Sequence, residues 1–212
     1  MEKTHFAIKK ETLSPKSTLV ENILKGAHSI PNLDGKKGLL FSITVLDKFI
    51  ENEARYDTQT LTFKKNRSIR TFSSGEQKKR VLNYLIEQKP DFLILDSPFE
   101  SLDFNAVSDL KENLIKLSSE IILIQIFNRK EEILPIITLI LEIKNDIILS
   151  SNPIEKYTFK ESDFVFKGTI PKPITFYKNI PNQLISLQNV TIHYGDNCIL
   201  NKINWTINKN EF

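Results

Sequence analysis

Thiol chemistry is almost absent from this sequence: Cys198 is its one cysteine. That excludes an intramolecular disulfide and any cysteine-built zinc cage, and it fits a reducing compartment. An excess of charge of one sign is also missing. The chain carries 29 basic and 26 acidic residues, a formal net charge of +3. They are scattered along the chain, so charge gives no argument for a nucleic acid partner. No apolar run is long enough to span a membrane. The most apolar stretch, "IILIQIFNRKEEILPIITLILEI", is cut by Asn128, Arg129, Lys130, Glu131 and Glu132, and reads as strand, turn, helix and strand. The opening "MEKTHFAIKKE" lacks the apolar core of a signal peptide.

Glycine is missing where one phosphate-binding motif would need it. "TLSPKSTLVENIL", from Thr12 to Leu24, sets Lys16-Ser17-Thr18 before a helical pattern of Val20, Ile23 and Leu24. The pattern G-x-x-x-x-G-K-[ST] would place glycines at 10 and 15, where the chain has Lys10 and Pro15. Such a loop works by converging backbone N–H groups on phosphate oxygens. Proline has no N–H to offer, and a lysine carries a Cβ where the loop has no room. These residues alone leave two readings open: a spoiled phosphate loop, or a helix start with Ser14 as N-cap and Pro15 in the first position.

What is present is a hydrophobic content of 40%, enough for one core plus extra segments. Residues 1 to about 150 alternate short apolar runs with amphipathic stretches, the pattern of a largely parallel α/β sheet. Strands are predicted at Phe6-Ala7-Ile8, "GLLFS", "DFLILD" and "EIILIQIF", with a hairpin in "TLILEIKNDIILS" turning at Asn145-Asp146. Helices are predicted in "ITVLDKFIENEARYD", in "DLKENLIKLSS", and from Arg129 as far as Pro135 allows. Residues 151–183, punctuated by Pro153, Pro171, Pro173 and Pro181, read as a linker. Residues 184–212 show strands around the turn Gly195-Asp196-Asn197.

The chemistry concentrates in "TFSSGEQKKRVLNYLIEQKPDFLILDSPFESLD". Ser73-Ser74-Gly75-Glu76-Gln77 opens a helix with Val81, Leu82, Leu85 and Ile86 on one face. Hydroxyls and a glycine at a helix N-terminus make an anion-binding end, and they also make a well-capped helix. A buried strand follows and ends in Asp96, the arrangement in which a carboxylate holds Mg²⁺. Ser101-Leu102-Asp103 comes next.

In this order and spacing the chain resembles the ATP-binding cassette (ABC) ATPases. "FSSGEQ" resembles their signature motif, "FLILDSPF" their Walker B strand and "SLD" their D-loop. By the same resemblance Lys16, Ser17 and Thr18 fall at the Walker A lysine and hydroxyls. Ser42 falls at the Q-loop glutamine, Ser97 at the catalytic glutamate and Asn128 at the switch histidine. The resemblance implies a P-loop NTPase-like α/β fold: a mainly parallel sheet, a helical signature subdomain over about 43–90, and C-terminal antiparallel strands. Residues 1–150 would be a degenerate first cassette. Residues 184–212 would be the opening strands of a second, truncated one, with Tyr194 as its adenine-stacking A-loop residue. The chain would then be a fragment of a tandem two-cassette protein, of the kind represented by molybdenum-transport and photorepair-type ATPases.

The implied cofactors are ATP and Mg²⁺, the latter on Asp96, held weakly or not at all by this chain alone. The implied nucleotide contacts are Lys16, Ser17 and Thr18, the signature residues Ser73, Ser74, Gly75, Glu76 and Gln77, and Asp103. With Ser97 and Asn128 in place of the usual Glu and His, no catalytic residue is expected here. Loss of a general base typically costs about 10²–10⁴-fold in rate. The implied partner is a second cassette, in the same full-length chain or in another copy. A membrane transporter subunit is a further implied partner, and nucleic acid is not one. The location would be cytoplasmic, either free or peripheral at the inner membrane face. Two alternatives are an ABC-type ATPase of DNA repair or chromosome maintenance, and a structural α/β module without nucleotide. The first calls for long heptad insertions or cysteine-rich modules, and the second requires the signature to be coincidence.

Overall fold

Strands that are apolar at nearly every position need cover on both faces, and residues 1–161 provide it. The computed structural model describes residues 3–14, 16–57, 61, 67–159, 181–209 and 211. They divide into two compact units, 1–161 and 162–212. In the first, a six-stranded sheet runs in the order β2 (Gly38–Phe41), β3 (Phe92–Asp96), β4 (Ile122–Phe127), β1 (Phe6–Lys9), β5 (Leu139–Lys144) and β6 (Ile147–Pro153). The first five are mutually parallel, and β6 returns antiparallel to β5. The turn between β5 and β6 is Asn145-Asp146, both at positive φ, as the two-residue hairpin chemistry requires.

Because side chains alternate across a strand, each face of the sheet has its own core. Phe6, Ile8, Phe92, Ile94, Ile124 and Ile126 pack with Leu19 and Ile23 of helix α1 (Leu19–Leu24). Ala7, Leu93, Leu95 and Leu123 pack on the other face. They meet Val81, Leu82 and Leu85 of α3 (Ser74–Glu87), and Leu110, Leu114 and Leu117 of α4 (Phe104–Leu117). Helix α2 (Ile43–Tyr56) lays Leu46 into the same core, with Val45, Phe49 and Ile50 against it. The mainly parallel α/β sheet is as the sequence implied.

Three local expectations are corrected. Helix α1 does not start on a Ser14 cap: it begins at Leu19, with Thr18 as its N-cap. Ser14 instead accepts the Ser17 N–H in a turn. The helix expected from Arg129 is a single 3-10 turn, Lys130–Glu132. The Glu132 carboxylate folds back onto the N–H groups of Asn128 (3.1 Å) and Arg129 (3.3 Å), closing the turn, and Pro135 bars continuation. Helix α4 starts earlier than the apolar pattern suggested, because Asp103 caps it at the Ala106 N–H (2.8 Å).

The second unit contains an antiparallel hairpin, β7 (Gln183–Tyr194) and β8 (Asn197–Asn208), turning at Gly195-Asp196 with Gly195 at φ 58°. Pro15 and most of the predicted linker, including Pro171 and Pro173, lie outside the described residues. Among the described residues no helix is long and apolar enough to cross a membrane.

Candidate functional site

In an open parallel sheet, the loops at the carboxyl ends of the strands carry the chemistry. Here β1 and β3 flank β4, and Ile8 and Asp96 are both level with Ile126. Lys10 opens the 3-10 turn that follows β1, Lys10–Thr12, and reaches past β4 toward Asp96. The side chains meet: Lys10 Nζ lies 3.2 Å from Asp96 Oδ1 and donates to Ser97 Oγ at 2.9 Å. Ser97 Oγ in turn donates to Asp96 Oδ1 at 3.1 Å. Ser97 sits at φ 46°, a left-handed backbone in which its N–H reaches the Ile126 carbonyl at 3.1 Å.

The residues implied for Walker A do not converge on this point. Lys16 is exposed and, among the described residues, makes no ion pair or hydrogen bond through its side chain. The Thr18 N–H is taken by Asp146 Oδ2 at 3.1 Å, and the Leu19 N–H by Ser17 Oγ at 3.2 Å. The N–H groups of Leu13 and Ser17 go to the carbonyls of Lys10 and Ser14. Beside Asp96, bounded by Phe41, Ser42, Lys78, Val81 and Ser97, the cavity measures about 10 Å³, the space of a single water. As folded, these residues do not fit a magnesium nucleotide: the Asp96 carboxylate is paired with Lys10, and the N–H groups of Leu13, Ser17, Thr18 and Leu19 are bonded within the chain.

The signature segment is arranged differently. Ser73 caps α3 in a full capping box: its Oγ accepts the Glu76 N–H (3.3 Å), and Glu76 Oε2 accepts the Ser73 N–H (3.1 Å) and hydroxyl (3.3 Å). The Ser73 N–H bond holds the Glu76 carboxyl below its ordinary value. Because the box accounts for the N–H groups of Ser73 and Glu76, those of Ser74 and Gly75 are left for a partner from outside the helix. Ser73 and Ser74 are exposed. The groove beside them, about 280 Å³, is lined by Gly75, Glu76, Lys79, Asp103 and Asn105 among others. A Cβ on Gly75 would stand 3.0 Å from Ala106 Cβ, so this glycine also lets α3 approach α4. Gln77 turns away and donates to the Ile69 carbonyl at 3.0 Å. Of the implied nucleotide contacts, the structure brings the signature residues Ser73, Gly75 and Glu76 and the D-loop Asp103 to one groove, with Ser74 exposed beside it.

The remaining implied residues are placed separately. Asn128 is exposed at the end of β4, Ser42 caps α2 through the Val45 N–H (3.3 Å), and Tyr194 is 82% exposed at the hairpin tip. Sequence reasoning weighed Lys10 only as a missing glycine. Its pairing was set by strand order, with β1 next to β4 and so one strand away from β3, for which the sequence carried no local signal. Asp146 and Lys78 carried none either.

The comparisons with known proteins bear on the family and the fold. No family profile matches the chain. An ABC transporter ATP-binding protein of Schizosaccharomyces pombe is 30% identical over 151 residues, covering 68% of this chain and 30% of that protein. The ABC transporter ATP-binding protein ModF of Escherichia coli is 29% identical over 161 residues, covering 69% of this chain and 32% of its own length. Among solved structures, an inward-facing metal-chelate type ABC transporter superposes with a TM-score of 0.50 at 13% identity, over 74% of this chain and 75% of that one. The fold is that of a P-loop NTPase-like cassette. The chain belongs to the ATP-binding cassette ATPase family. It spans about a third of the length of the curated relatives it matches.

Proposed function

We propose that this chain supplies a non-catalytic cassette whose signature end completes an ATP site held by a second cassette. Cassettes of this family pair with one another, and the two ends of this one differ sharply. The single observation that carries the reading is the contrast between the Asp96 pocket, filled by the chain's own side chains, and the Ser73–Ser74–Gly75 end of α3, which is open. An exposed helix N-terminus with two uncommitted N–H donors and neighbouring hydroxyls favours a phosphate. Residues 1–150 act as the degenerate first cassette, 151–183 as linker, and 184–212 as the opening strands of the second, with Tyr194 as its adenine-stacking residue. ATP and Mg²⁺ are held by the second cassette, and ATP hydrolysis there drives transport-linked or regulatory work.

Ser74→Asp in the full-length protein carrying both cassettes tests this. Ser74 is exposed at the first position of α3, so a carboxylate there is neutral to the fold or stabilising by about 0.3–1 kcal/mol. Against a bound phosphate it is a like charge. The expected result is a loss of ATPase activity of at least tenfold with the melting temperature unchanged or raised. Unchanged turnover would sink the proposal.

A further inference from the structure

We propose that at the Asp96 pocket and at the loop before α1 the chain's own charges take the ligand's places, the Lys10 ammonium beside Asp96 standing where a divalent cation would sit and the Asp146 carboxylate at the Thr18 N–H where a phosphate oxygen would. This rests on the proposed function only in taking that pocket to be the idle one. The inference starts from two contacts. An ammonium 3.2 Å from Asp96 Oδ1 neutralises the carboxylate, and the same nitrogen reaches Ser97 Oγ at 2.9 Å. One carboxylate oxygen and one hydroxyl thus share one cation, as oxygen ligands share a hard metal ion. Lys10 belongs to the loop after β1 and Asp96 to β3, so the contact bridges two strand ends that enclose β4.

The second contact supplies the opposite sign. Asp146 Oδ2 accepts the Thr18 N–H at 3.1 Å, at the point where Lys16-Ser17-Thr18 leads into α1. It arrives from the β5–β6 turn, held in place by left-handed backbone at Asn145 (φ 52°) and Asp146 (φ 60°). A side-chain anion therefore occupies a donor that a phosphate loop would present to its ligand. The Leu13, Ser17 and Leu19 N–H groups are also bonded within the chain, so these donors are met without a ligand. The result is a cassette half whose shape does not depend on nucleotide.

Thermal unfolding of the 212-residue chain tests this without any assay of turnover. Wild type, Lys10→Met, Lys10→Arg and Asp146→Gly are each melted in buffer, in millimolar MgCl₂, and in millimolar Mg-ATP. Glycine at 146 keeps the left-handed turn and removes the carboxylate. The wild-type midpoint is expected to stay within about 1 °C in all three solutions, since a ligand that does not bind the folded state cannot raise it. Lys10→Met should melt about 2–4 °C lower, with MgCl₂ restoring part of the loss, and Lys10→Arg should match the wild type. Asp146→Gly should melt lower in buffer and gain with Mg-ATP but not with MgCl₂ alone. A wild-type chain stabilised by Mg-ATP overturns the proposal. So does a Lys10→Met chain indifferent to Mg²⁺, or an Asp146→Gly chain indifferent to Mg-ATP. None of these outcomes involves the signature end, so the proposed function stands or falls separately.

Discussion

The Lys78 ammonium, 7% exposed on the second turn of α3, donates to the Pro98 carbonyl at 3.0 Å. It also reaches the Glu100 carbonyl at 2.5 Å. One side chain thereby ties the signature helix to the loop that follows Asp96 and leads to Asp103. Burial of this amine pushes its pKa below the ordinary 10.5, and the Glu100 carboxylate opposes that in part. A buried cation without a paired carboxylate is costly unless its hydrogen bonds are made, and here two backbone carbonyls make them.

Lys78→Met should therefore act in two ways. Leaving the two carbonyls without their donor should cost about 1–3 kcal/mol in urea unfolding. The second effect is a pH slope. A depressed folded pKa means that the unfolded chain binds more protons in the window just below 10.5, so the folded state gains stability as pH rises through it. The wild type should show this gain relative to Lys78→Met, and parallel pH profiles for the two would contradict it.

Gly38 is required by packing. It opens β2 opposite Phe92, and a Cβ there would lie 2.0 Å from the phenyl ring. Gly38→Ala forces Phe92, fully buried, out of its place and should destabilise by about 1–3 kcal/mol. Phe92→Leu in the same chain should recover part of that loss, so the pair should couple in a double-mutant cycle.

Gln125 is wholly buried and serves the loop that carries Asn128. Its Nε2 donates to the Glu132 carbonyl at 2.7 Å, and its Oε1 accepts the Leu134 N–H at 2.9 Å. Gln125→Met keeps the volume and removes both bonds, and should cost about 1–3 kcal/mol. Amide exchange at Leu134 should accelerate selectively if the loop opens as a unit.

The sheet was legible because its strands are written in apolar runs, "FLILD" and "ILIQIF", broken inside only by Gln125, whose length separates them from helices. The cap of α3 was legible because Ser73 and Glu76 have the spacing of a capping box. The start of α1 was not. Ser14-Pro15 has good local cap chemistry, yet the first helical N–H groups are satisfied by Ser17 and by Asp146, 128 residues from Thr18. The Lys10–Asp96 pair was hidden for a related reason. It depends on β1 inserting between β4 and β5, a strand order that local pattern does not encode. The helix expected after Arg129 failed because Glu132 bonds backward to Asn128 and Arg129, a choice of partner that periodicity cannot see.

The last prediction separates the two ends of the cassette in the full-length protein. Ser73→Ala removes both a cap and a hydroxyl that faces the groove, so a loss of activity alone would be ambiguous. The cap is worth about 0.5–2 kcal/mol against alanine, and asparagine restores it. If the hydroxyl serves a bound phosphate, Ser73→Asn should regain the melting temperature of the wild type and still lose at least tenfold in turnover. Lys16→Ala, at an exposed position without side-chain partners among the described residues, should alter stability by less than about 0.5 kcal/mol and leave turnover within about twofold. Paired steady-state ATPase and melting measurements on the three variants decide it. A Lys16→Ala loss as deep as that of Ser73→Asn would mean that the first pocket works. Full activity in Ser73→Asn would mean that the signature serine is a cap and nothing more.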